Sequence, residues 1–285
     1  MTLAYDDLIE RRSEPRAYSY TDTQMLLYNI SVGMGRDPTD PRELGYIYEK
    51  PELRVVPTAA AVLLSGDSSL LGNAPIDWAR VLHGEQRIAF HRPIPPSGDL
   101  VSSSHISEVV DKGPDKGAII TVTVECALAG GEPLFTMDNV IFARGNGGLG
   151  GPEKSRHTPH ALPERAPDMR FVTETRRDQA ALYRLTGDRN PLHIDPAYAK
   201  RAGFPAPILH GLASYGITCR ALLASVCDYD PARMKSFDCR FTSPVFPGET
   251  LESDIWVDGD IASFRVRVAE RDVVALNNGR CLITN

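Results

Sequence analysis

Residues 209–226 have the sequence LHGLASYGITCRALLASV, the most apolar helical stretch of the chain. One face of this helix, at 4-3-4-3 spacing, is formed by Leu212, Gly216, Cys219, Leu223 and Val226. The other faces are also apolar, and Arg220 is the only formal charge of the stretch. A helix that is apolar all round is typical of one enclosed by other elements. The stretch therefore predicts a buried helix wrapped by a sheet.

Segments that alternate between apolar and polar residues follow this helix and also occur earlier in the chain. The predicted strands are 119–126 and 134–142 in the first half, and 251–257, 264–268 and 273–283 in the second. In 264–268 two arginines alternate with three apolar residues, which indicates a sheet with one solvated face. Each half has helical material first and an antiparallel meander second, the pattern of an α+β protein.

The chain divides at residues 145–168, which contain five Gly and four Pro in 24 residues and almost no apolar periodicity. Such a composition is typical of a connection that crosses a surface. We therefore predict an N-terminal domain at 1–144, a linker at 145–168 and a C-terminal domain at 169–285.

The two halves show a weak internal repeat. Helix positions match at a constant offset of 155: Gln24, Leu27, Tyr28 and Ile30 with Gln179, Leu182, Tyr183 and Leu185. The turn at 96–100 (PSGDL) resembles the turn at 247–251 (PGETL) at an offset of 151. Two matches in the same order and at nearly equal offsets indicate a duplicated fold.

The composition excludes several function classes. The chain has 285 residues, a net charge of −6 and a pI of about 5.7, so an overall basic footprint for nucleic acid is absent. The longest weakly charged stretch, 211–227, has 17 residues and is short for a membrane span. The first residues lack the pattern of a secretory signal. Five cysteines without a Cys-x-x-Cys pair predict reduced, mostly buried thiols, so we expect a cytoplasmic protein.

The densest polar cluster is 187–196, GDRNPLHIDP. Gly-Asp and Asn-Pro are turn signals, so a purely structural loop is one interpretation. A metal site made by Asp188, His193 and Asp195 is a second, although a further His cluster at ligand spacing is lacking. The third is an acid–base pair, because Asp188 and His193 can converge on an irregular loop, whereas a strand would hold them about 16 Å apart. Spacing alone leaves all three open.

The segment 187–193 resembles the hydratase 2 motif of the MaoC-like dehydratase family, the (R)-specific 2-enoyl-CoA hydratases. The resemblance continues through 202–204 (AGF), 207–212 (PILHGL), 240–245 (RFTSPV), 247–251 (PGETL), 82–86 (LHGEQ) and 111–113 (DKG). It implies a double hot-dog fold, in which two antiparallel sheets each wrap around a central helix. In two-domain members only the C-terminal half keeps the motif, and here 31–38 (SVGMGRDP) has no His following.

The resemblance assigns the chemistry to four residues. Asp188 and His193 are expected to hold one water, and Asp188 to return a proton to C2 of the enoyl thioester. Asn190 is expected to orient the loop or the water. Gly211 lies at the predicted helix start, where a free backbone N–H suits the thioester oxyanion. Close helix–sheet packing is the alternative reason for glycine at this position.

Four further residues are expected, by the same resemblance, to bind the substrate. His83 and Gly84 would line the acyl or pantetheine path. Lys112 would meet the nucleotide end of CoA, and Phe241 the pantetheine arm. Each side chain also has a plainer interpretation, as a structural histidine, a turn lysine and a strand core residue. The linker histidines, His157 and His160, receive no role, and the cysteines are expected to fill the core.

We therefore expect an (R)-specific 2-enoyl-CoA hydratase, acting in reverse as a 3-hydroxyacyl-thioester dehydratase, with no metal or redox cofactor. The expected substrate is an acyl-CoA, with the first half accommodating a medium, long, branched or steroid side chain. The alternatives are a hot-dog acyl-CoA thioesterase, whose class lacks the Asp-x-Asn-Pro-x-His run, and a non-catalytic acyl-CoA-binding accessory subunit. No nucleic acid partner and no membrane span are expected. One chain supplies both hot-dog units, which leaves homodimerisation open.

Overall fold

The computed structural model describes residues 3–37, 39–64, 69–72 and 74–284. Within these residues the strands are β1 (Arg16–Tyr20), β2 (Val81–Phe90), β3 (Gly98–Asp111), β4 (Ala118–Leu128), β5 (Pro133–Ala143), β6 (Met169–Glu174), β7 (Ser236–Phe241), β8 (Thr250–Asp258), β9 (Ile261–Val268) and β10 (Val273–Leu282). The α-helices are α1 (Tyr5–Ile9), α2 (Asp22–Ser31), α3 (Pro41–Ile47), α4 (Ala60–Leu63), α5 (Ser69–Gly72), α6 (Gln179–Tyr183), α7 (Pro196–Arg201) and α8 (Gly211–Val226).

The strands form one 10-stranded sheet in the order β1-β3-β4-β5-β2-β7-β10-β9-β8-β6. Counted outward from the centre, β2, β5, β4, β3 and β1 of the N-terminal half correspond to β7, β10, β9, β8 and β6 of the C-terminal half. This repeated order is what a duplicated fold predicts. The two predicted sheets are therefore present, and they are joined edge to edge by the antiparallel pairing of β2 with β7.

The helix predicted from residues 209–226 is α8, and it lies in the core as expected. Every residue from Ala213 to Leu223 is buried. At Gly216 the Cβ of any other residue would come within 2.5 Å of the Val32 side chain at the end of α2. The helix therefore touches the N-terminal half as well as its own sheet. That half has a much shorter buried helical segment, with Thr58, Ala59 and Ala60 all 0% exposed.

The repeat in sequence is also a repeat of one side-chain hydrogen bond. The Gln24 side chain accepts a hydrogen bond from the Thr21 backbone N–H at 2.9 Å. At the matching position, Gln179 accepts from the Arg176 N–H at 3.1 Å. In α2, Gln24 is three residues after the cap Thr21 and satisfies one of the free donors of the helix start. In α6, Gln179 is the first helical residue and Asp178 is the cap, so the repeat keeps the side-chain hydrogen bond but not the position of the helix start.

The strands predicted at 119–126, 134–142, 251–257 and 264–268 lie within β4, β5, β8 and β9, and the one predicted at 273–283 exceeds β10 by one residue. The solvated face is confirmed in β9, where Phe264, Val266 and Val268 are 0% exposed and the two arginines are partly exposed. Between Ala143 and Met169 the described residues form neither helix nor strand. Pro38, in the segment compared with the motif, lies outside the described residues. The domain boundaries stay predictions.

All five cysteines are buried free thiols, as predicted. Burial raises the pKa of each thiol, so none is a ready thiolate nucleophile. None of the described helices has the length and apolar character needed to cross a bilayer.

Candidate active site

A cavity of about 370 Å³ lies where the two halves meet. The N-terminal half contributes the start of β2, and the C-terminal half contributes the loop after α6, the start of α8 and the segment after β7. Much of the wall is apolar, with Leu82, Phe204, Ile208, Leu212, Val245 and Leu276. Of the eight residues predicted from sequence, six line the cavity: Asp188, Asn190, His193, Gly211, His83 and Phe241.

The loop that carries Asp188 is held by its own side chains. Gly187 precedes it with φ 140°, a backbone conformation that favours glycine. The Asp188 carboxylate accepts from the Asn190 backbone N–H at 3.0 Å, and the Asn190 side chain accepts from the Leu192 N–H at 3.0 Å. Pro191 then starts a 3₁₀ turn that ends at His193. The Asn190 side chain thus bonds within the loop, and its role at the active site stays a prediction.

His193 has a defined tautomer. Its Nδ1 lies 2.9 Å from the Ile208 carbonyl oxygen, which can only accept, so Nδ1 carries the hydrogen. Nε2 is then a lone pair in the neutral ring. Burial lowers the pKa of this imidazole below its usual value of 6.5. His193 is thus a neutral hydrogen-bond acceptor at physiological pH.

A second histidine, His210, contacts both Asp188 and His193. The sequence analysis gave it no role. Its ring stacks on that of His193 with centroids 3.8 Å apart and planes 28° apart. Its Nε2 lies 3.1 Å from the Asp188 carbonyl oxygen. Burial, reinforced by the neighbouring His193, lowers the pKa of His210 to about 4. The sequence signal was present, since His210 directly precedes Gly211, the residue expected to donate to the thioester oxygen.

Gly211 begins α8, and its backbone N–H has no acceptor among the residues that the structure describes. The N–H groups of Ala213 and Ser214 bond to the His210 carbonyl instead. An added Cβ at Gly211 would lie 3.2 Å from two ring carbons of Phe241. Free N–H and close packing therefore coexist here, so both reasons for the glycine fit the structure.

The N-terminal half supplies His83, whose ring centroid lies 4.8 Å from that of Phe241. Its Nε2 is buried and has no hydrogen-bond partner in the described part of the chain. Burial lowers the pKa of His83 to about 4, so it is neutral and its Nε2 is available to a ligand. Gly84 is not part of the cavity wall. It lies in a β-bulge between His83 and Glu85, a feature that redirects neighbouring side chains.

Lys112 lies outside the cavity, in the hairpin turn between β3 and β4. Its ammonium donates to the Glu153 carbonyl at 3.1 Å. Strand pairing connects Asp111 to Ala118, Ala143 and Val81 in turn, so this hairpin is at the same end of the sheet as the cavity. A role at the far end of a long ligand stays a prediction.

Two buried hydroxyl groups near the site were missed by the sequence analysis. Ser214 lines the cavity one helical turn after Gly211, and its Oγ has no partner among the described atoms. The Tyr183 hydroxyl is likewise buried and unpaired, while the Tyr183 ring lies 5.0 Å from His210. Unpaired buried hydroxyls are costly unless a ligand or water satisfies them. Ordinary helix patterning does not distinguish them from core residues.

The structure does not bring together the three residues of the predicted metal site. Asp195 caps α7 by accepting from the Ala197 N–H at 2.8 Å. The donor atoms that cluster are those of Asp188, His193 and His210, within 4.8 Å of one another. However, imidazole lone pairs lie in the ring plane, and the two rings are stacked. An ion about 2.1 Å from both nitrogens would lie well out of both planes, which disfavours a shared metal.

Two family models match the chain, one in each half. The model of the MaoC-like domain matches residues 159–278, and that of the MFE-2 hydratase 2 N-terminal domain matches residues 18–145. The chain is 36% identical over 284 residues to enoyl-CoA hydratase ChsH3 of Mycobacterium tuberculosis, covering 98% of each. It is 39% identical over 266 residues to 3-hydroxyacyl-thioester dehydratase Y of the same organism, covering 91% of this chain and 90% of that one.

A solved structure of a MaoC-like dehydratase from Phytophthora capsici superposes with a TM-score of 0.89 at 32% identity, covering 99% of both chains. The predicted double hot-dog class is thereby confirmed. Because the match spans both halves, with the hydratase motif on the loop beside α8, the chain belongs to the MaoC-like dehydratase family.

Proposed function

We propose that this chain is an (R)-specific 2-enoyl-CoA hydratase, which adds water to a trans-2-enoyl-CoA and runs in reverse as a 3-hydroxyacyl-thioester dehydratase. The observation that carries the proposal is the placement of Asp188, His193 and the free N–H of Gly211 around one cavity. Relatives named enoyl-CoA hydratase and 3-hydroxyacyl-thioester dehydratase support the same activity.

The two side chains suit one water molecule. His193 offers Nε2 as an acceptor because Nδ1 is committed to Ile208. The Asp188 carboxylate is the second acceptor, so one water can donate a hydrogen to each. As the water oxygen attacks C3, the proton that passes to Asp188 is available for C2. Oxygen and hydrogen then reach the same face of the double bond, which is syn addition.

The negative charge that develops on the thioester oxygen needs a donor that is already in place. The Gly211 N–H meets this need, because it is the first free donor at the positive end of a 16-residue helix. Without a side chain at Gly211, the thioester can approach the backbone closely. This chemistry uses acid–base groups and a backbone donor, so the proposal includes no metal or redox cofactor.

The substrate class follows from the cavity. Its apolar wall suits an acyl chain, and we propose that His83 and Phe241, which also line it, contact the pantetheine arm. We propose a CoA thioester rather than an acyl carrier protein thioester, because a chain of net charge −6 offers no obvious basic docking face. We favour medium, long or branched acyl groups. The buried thiols fit a reducing compartment, and we propose the cytoplasm.

The decisive experiment follows the absorbance of the enoyl thioester and couples the product to dehydrogenases of known handedness. We expect the band to bleach and only the (3R)-specific dehydrogenase to consume the product. Product accepted only by the (3S)-specific enzyme would overturn the proposal even if hydration were fast. Repeating the reaction in D₂O and locating the deuterium at C2 tests syn addition.

The same assay separates the alternatives. A thioesterase would release free CoA thiol, and a non-catalytic subunit would bind enoyl-CoA without bleaching the band. The matched control is Asp188→Asn, which keeps the shape of the side chain and removes its negative charge. Full activity after treatment with a chelator is expected, and a loss restored by one divalent metal would support the metal interpretation instead.

A further inference from the structure

His210 is a buried histidine that the water-addition chemistry does not use. It is 1% exposed and lies directly before α8. Its Nε2 lies 3.1 Å from the backbone carbonyl of Asp188. A carbonyl oxygen can only accept, so Nε2 carries the hydrogen and donates it. The remaining nitrogen, Nδ1, is a buried lone pair with no donor among the described atoms.

The same ring contacts the other active-site side chain. His210 and His193 stack with centroids 3.8 Å apart, and Tyr183 packs on His210 at 5.0 Å. The His210 ring therefore contacts the backbone carbonyl of Asp188 and the ring of His193. The two histidines hold opposite tautomers, with the hydrogen on Nδ1 in His193 and on Nε2 in His210.

The three residues before α8 act together on the loop. The Ile208 carbonyl accepts from the His193 ring, and the His210 ring donates to the Asp188 carbonyl. Leu209, between them, donates its N–H to the Val245 carbonyl at 2.7 Å. The segment is thus anchored to the irregular chain between β7 and β8, and it bonds to the loop at two points, one at each active-site residue.

We propose that His210 is a positioning residue, which fixes the distance between Asp188 and His193 by donating to the backbone of one and stacking on the ring of the other. This inference rests on the proposed function, because it concerns the same pair of side chains. His210 makes no contact that requires it to exchange a proton. Its task is to keep the two acceptors aimed at one water.

A neutral ring is essential to this task. The charged and titratable groups that face His210 are Asp188 and His193 on the loop, and Tyr183 and Arg184 at the end of the preceding helix. A protonated His210 would repel an imidazolium at His193, and two such close rings cannot both be charged easily. Burial, His193 and Arg184 lower the pKa of His210 to about 4 against the opposite effect of Asp188, so its lone pair at Nδ1 persists.

Two substitutions separate the two contacts. His210→Gln can place an amide N–H near the position of Nε2, whereas His210→Phe keeps a flat ring and loses the donor. We expect His210→Phe to lower kcat about 10- to 100-fold with less than about a threefold change in KM, because a misplacement of about 1 Å at the reacting atoms has this effect. His210→Gln should recover most of that loss. His91→Gln, at an exposed histidine, is the matched control.

The tautomer is measured independently by nitrogen NMR of histidine-labelled wild-type protein, with the His210→Gln variant assigning the signal. We expect a neutral ring with the hydrogen on Nε2 throughout the range in which the protein stays folded near neutral pH. A hydrogen on Nδ1, or a titration near the usual histidine pKa of about 6.5, would overturn the proposal. The readout needs no turnover, so it remains informative even if the hydratase assignment fails.

Kinetics gives the second decisive outcome. Equal loss in the Gln and Phe variants, with KM rising as much as kcat falls, would contradict a positioning role through the donor. Wild-type activity in His210→Phe would contradict it as well. If His210→Phe fails to fold, the Gln variant and the tautomer of the wild-type ring still decide the question.

Discussion

The carboxylate of Glu43 in the N-terminal half bonds the guanidinium of Arg220 in the middle of α8. Arg220 Nε lies 3.0 Å from Glu43 Oε1, and one terminal nitrogen of the guanidinium also reaches this oxygen. The other carboxylate oxygen accepts from the Gly35 N–H at 2.7 Å. Glu43 is 1% exposed and Arg220 8% exposed. This buried pair joins the helix that starts at the active site to the half that lacks the motif.

Breaking the Glu43–Arg220 pair should destabilise the protein strongly. Glu43→Gln leaves Arg220 without its counter-charge, and Arg220→Met leaves Glu43 buried and unpaired. Each should lower the free energy of unfolding by about 3–5 kcal/mol, measured by denaturant titration, since an uncompensated buried charge is expensive. The double variant should lose far less than the sum. Additive losses would show that the two groups act independently.

The two active-site side chains should behave as one unit. Asp188→Asn and His193→Ala should each lower kcat by on the order of 10²- to 10⁴-fold with a modest change in KM. Because both hold one water, the double variant should cost much less than the product of the single effects. Either single variant that stays folded and keeps more than about a third of the activity would refute the assignment.

The decline of kcat/KM at low pH should reflect protonation of the His193 ring. Its acceptor role requires the neutral ring, and burial lowers its pKa below 6.5. The ring therefore stays neutral as pH falls through 6.5, and kcat/KM should decline only at lower pH. The profile is measured with an enoyl-CoA over the range of stable folding. An acid limb at or above the ordinary histidine value would contradict this assignment.

Gly211→Ala tests the close approach at the helix start. The new Cβ would lie 3.2 Å from Phe241 Cδ1 and Cε1, so the ring or the helix start must shift by a few tenths of an ångström. We expect kcat to fall about tenfold or more, because the free N–H moves relative to the thioester oxygen. Phe241→Leu in the same chain should relieve part of the loss. No relief would mean that the Cβ blocks the substrate itself.

Lys112→Ala tests the predicted contact with the nucleotide end of CoA. We expect KM for an enoyl-CoA to rise about two- to fivefold. A change of this size corresponds to the free energy that one exposed charge contact usually contributes to binding. The variant should leave KM unchanged for an enoyl-pantetheine thioester, which lacks the nucleotide. Lys116→Ala, in the same exposed hairpin, is the control. An equal effect on both substrates would exclude the predicted contact.

Features that depend on neighbours in the chain could be predicted from the sequence. The turn residues of 187–193 hydrogen-bond within the loop itself, so their pattern is visible as a motif. The apolar helix at 209–226 and the alternating strands are visible because each repeats a local spacing. Resemblance to a known family then linked the loop to a hydration site. These predictions needed no knowledge of which segments meet.

Five of the described strands have no counterpart among the predicted ones, namely β1, β2, β3, β6 and β7, and for β2 and β7 the position in the sheet gives the reason. They pair with each other at its centre, where Arg87 lies opposite both Asp138 and Asp238, and Arg280 lies opposite Asp238. The carboxyl group of Asp238 has its pKa raised to about 6, mainly by burial. Charged residues satisfied by neighbours from other strands obscure the apolar alternation that identifies a strand in sequence.

Short-range periodicity and turn chemistry are enough to predict the duplicated α+β plan, the buried helix and the loop that carries Asp188, Asn190 and His193. Three contacts become visible only in the folded chain: His210 stacks on His193, Glu43 pairs with Arg220, and His83 reaches the cavity from the other half. These contacts join residues that are 17, 177 and more than 100 positions apart. The first contact depends on how the loop packs against the start of α8, and the other two depend on how the halves dock, since burial without a partner would be costly for each polar group.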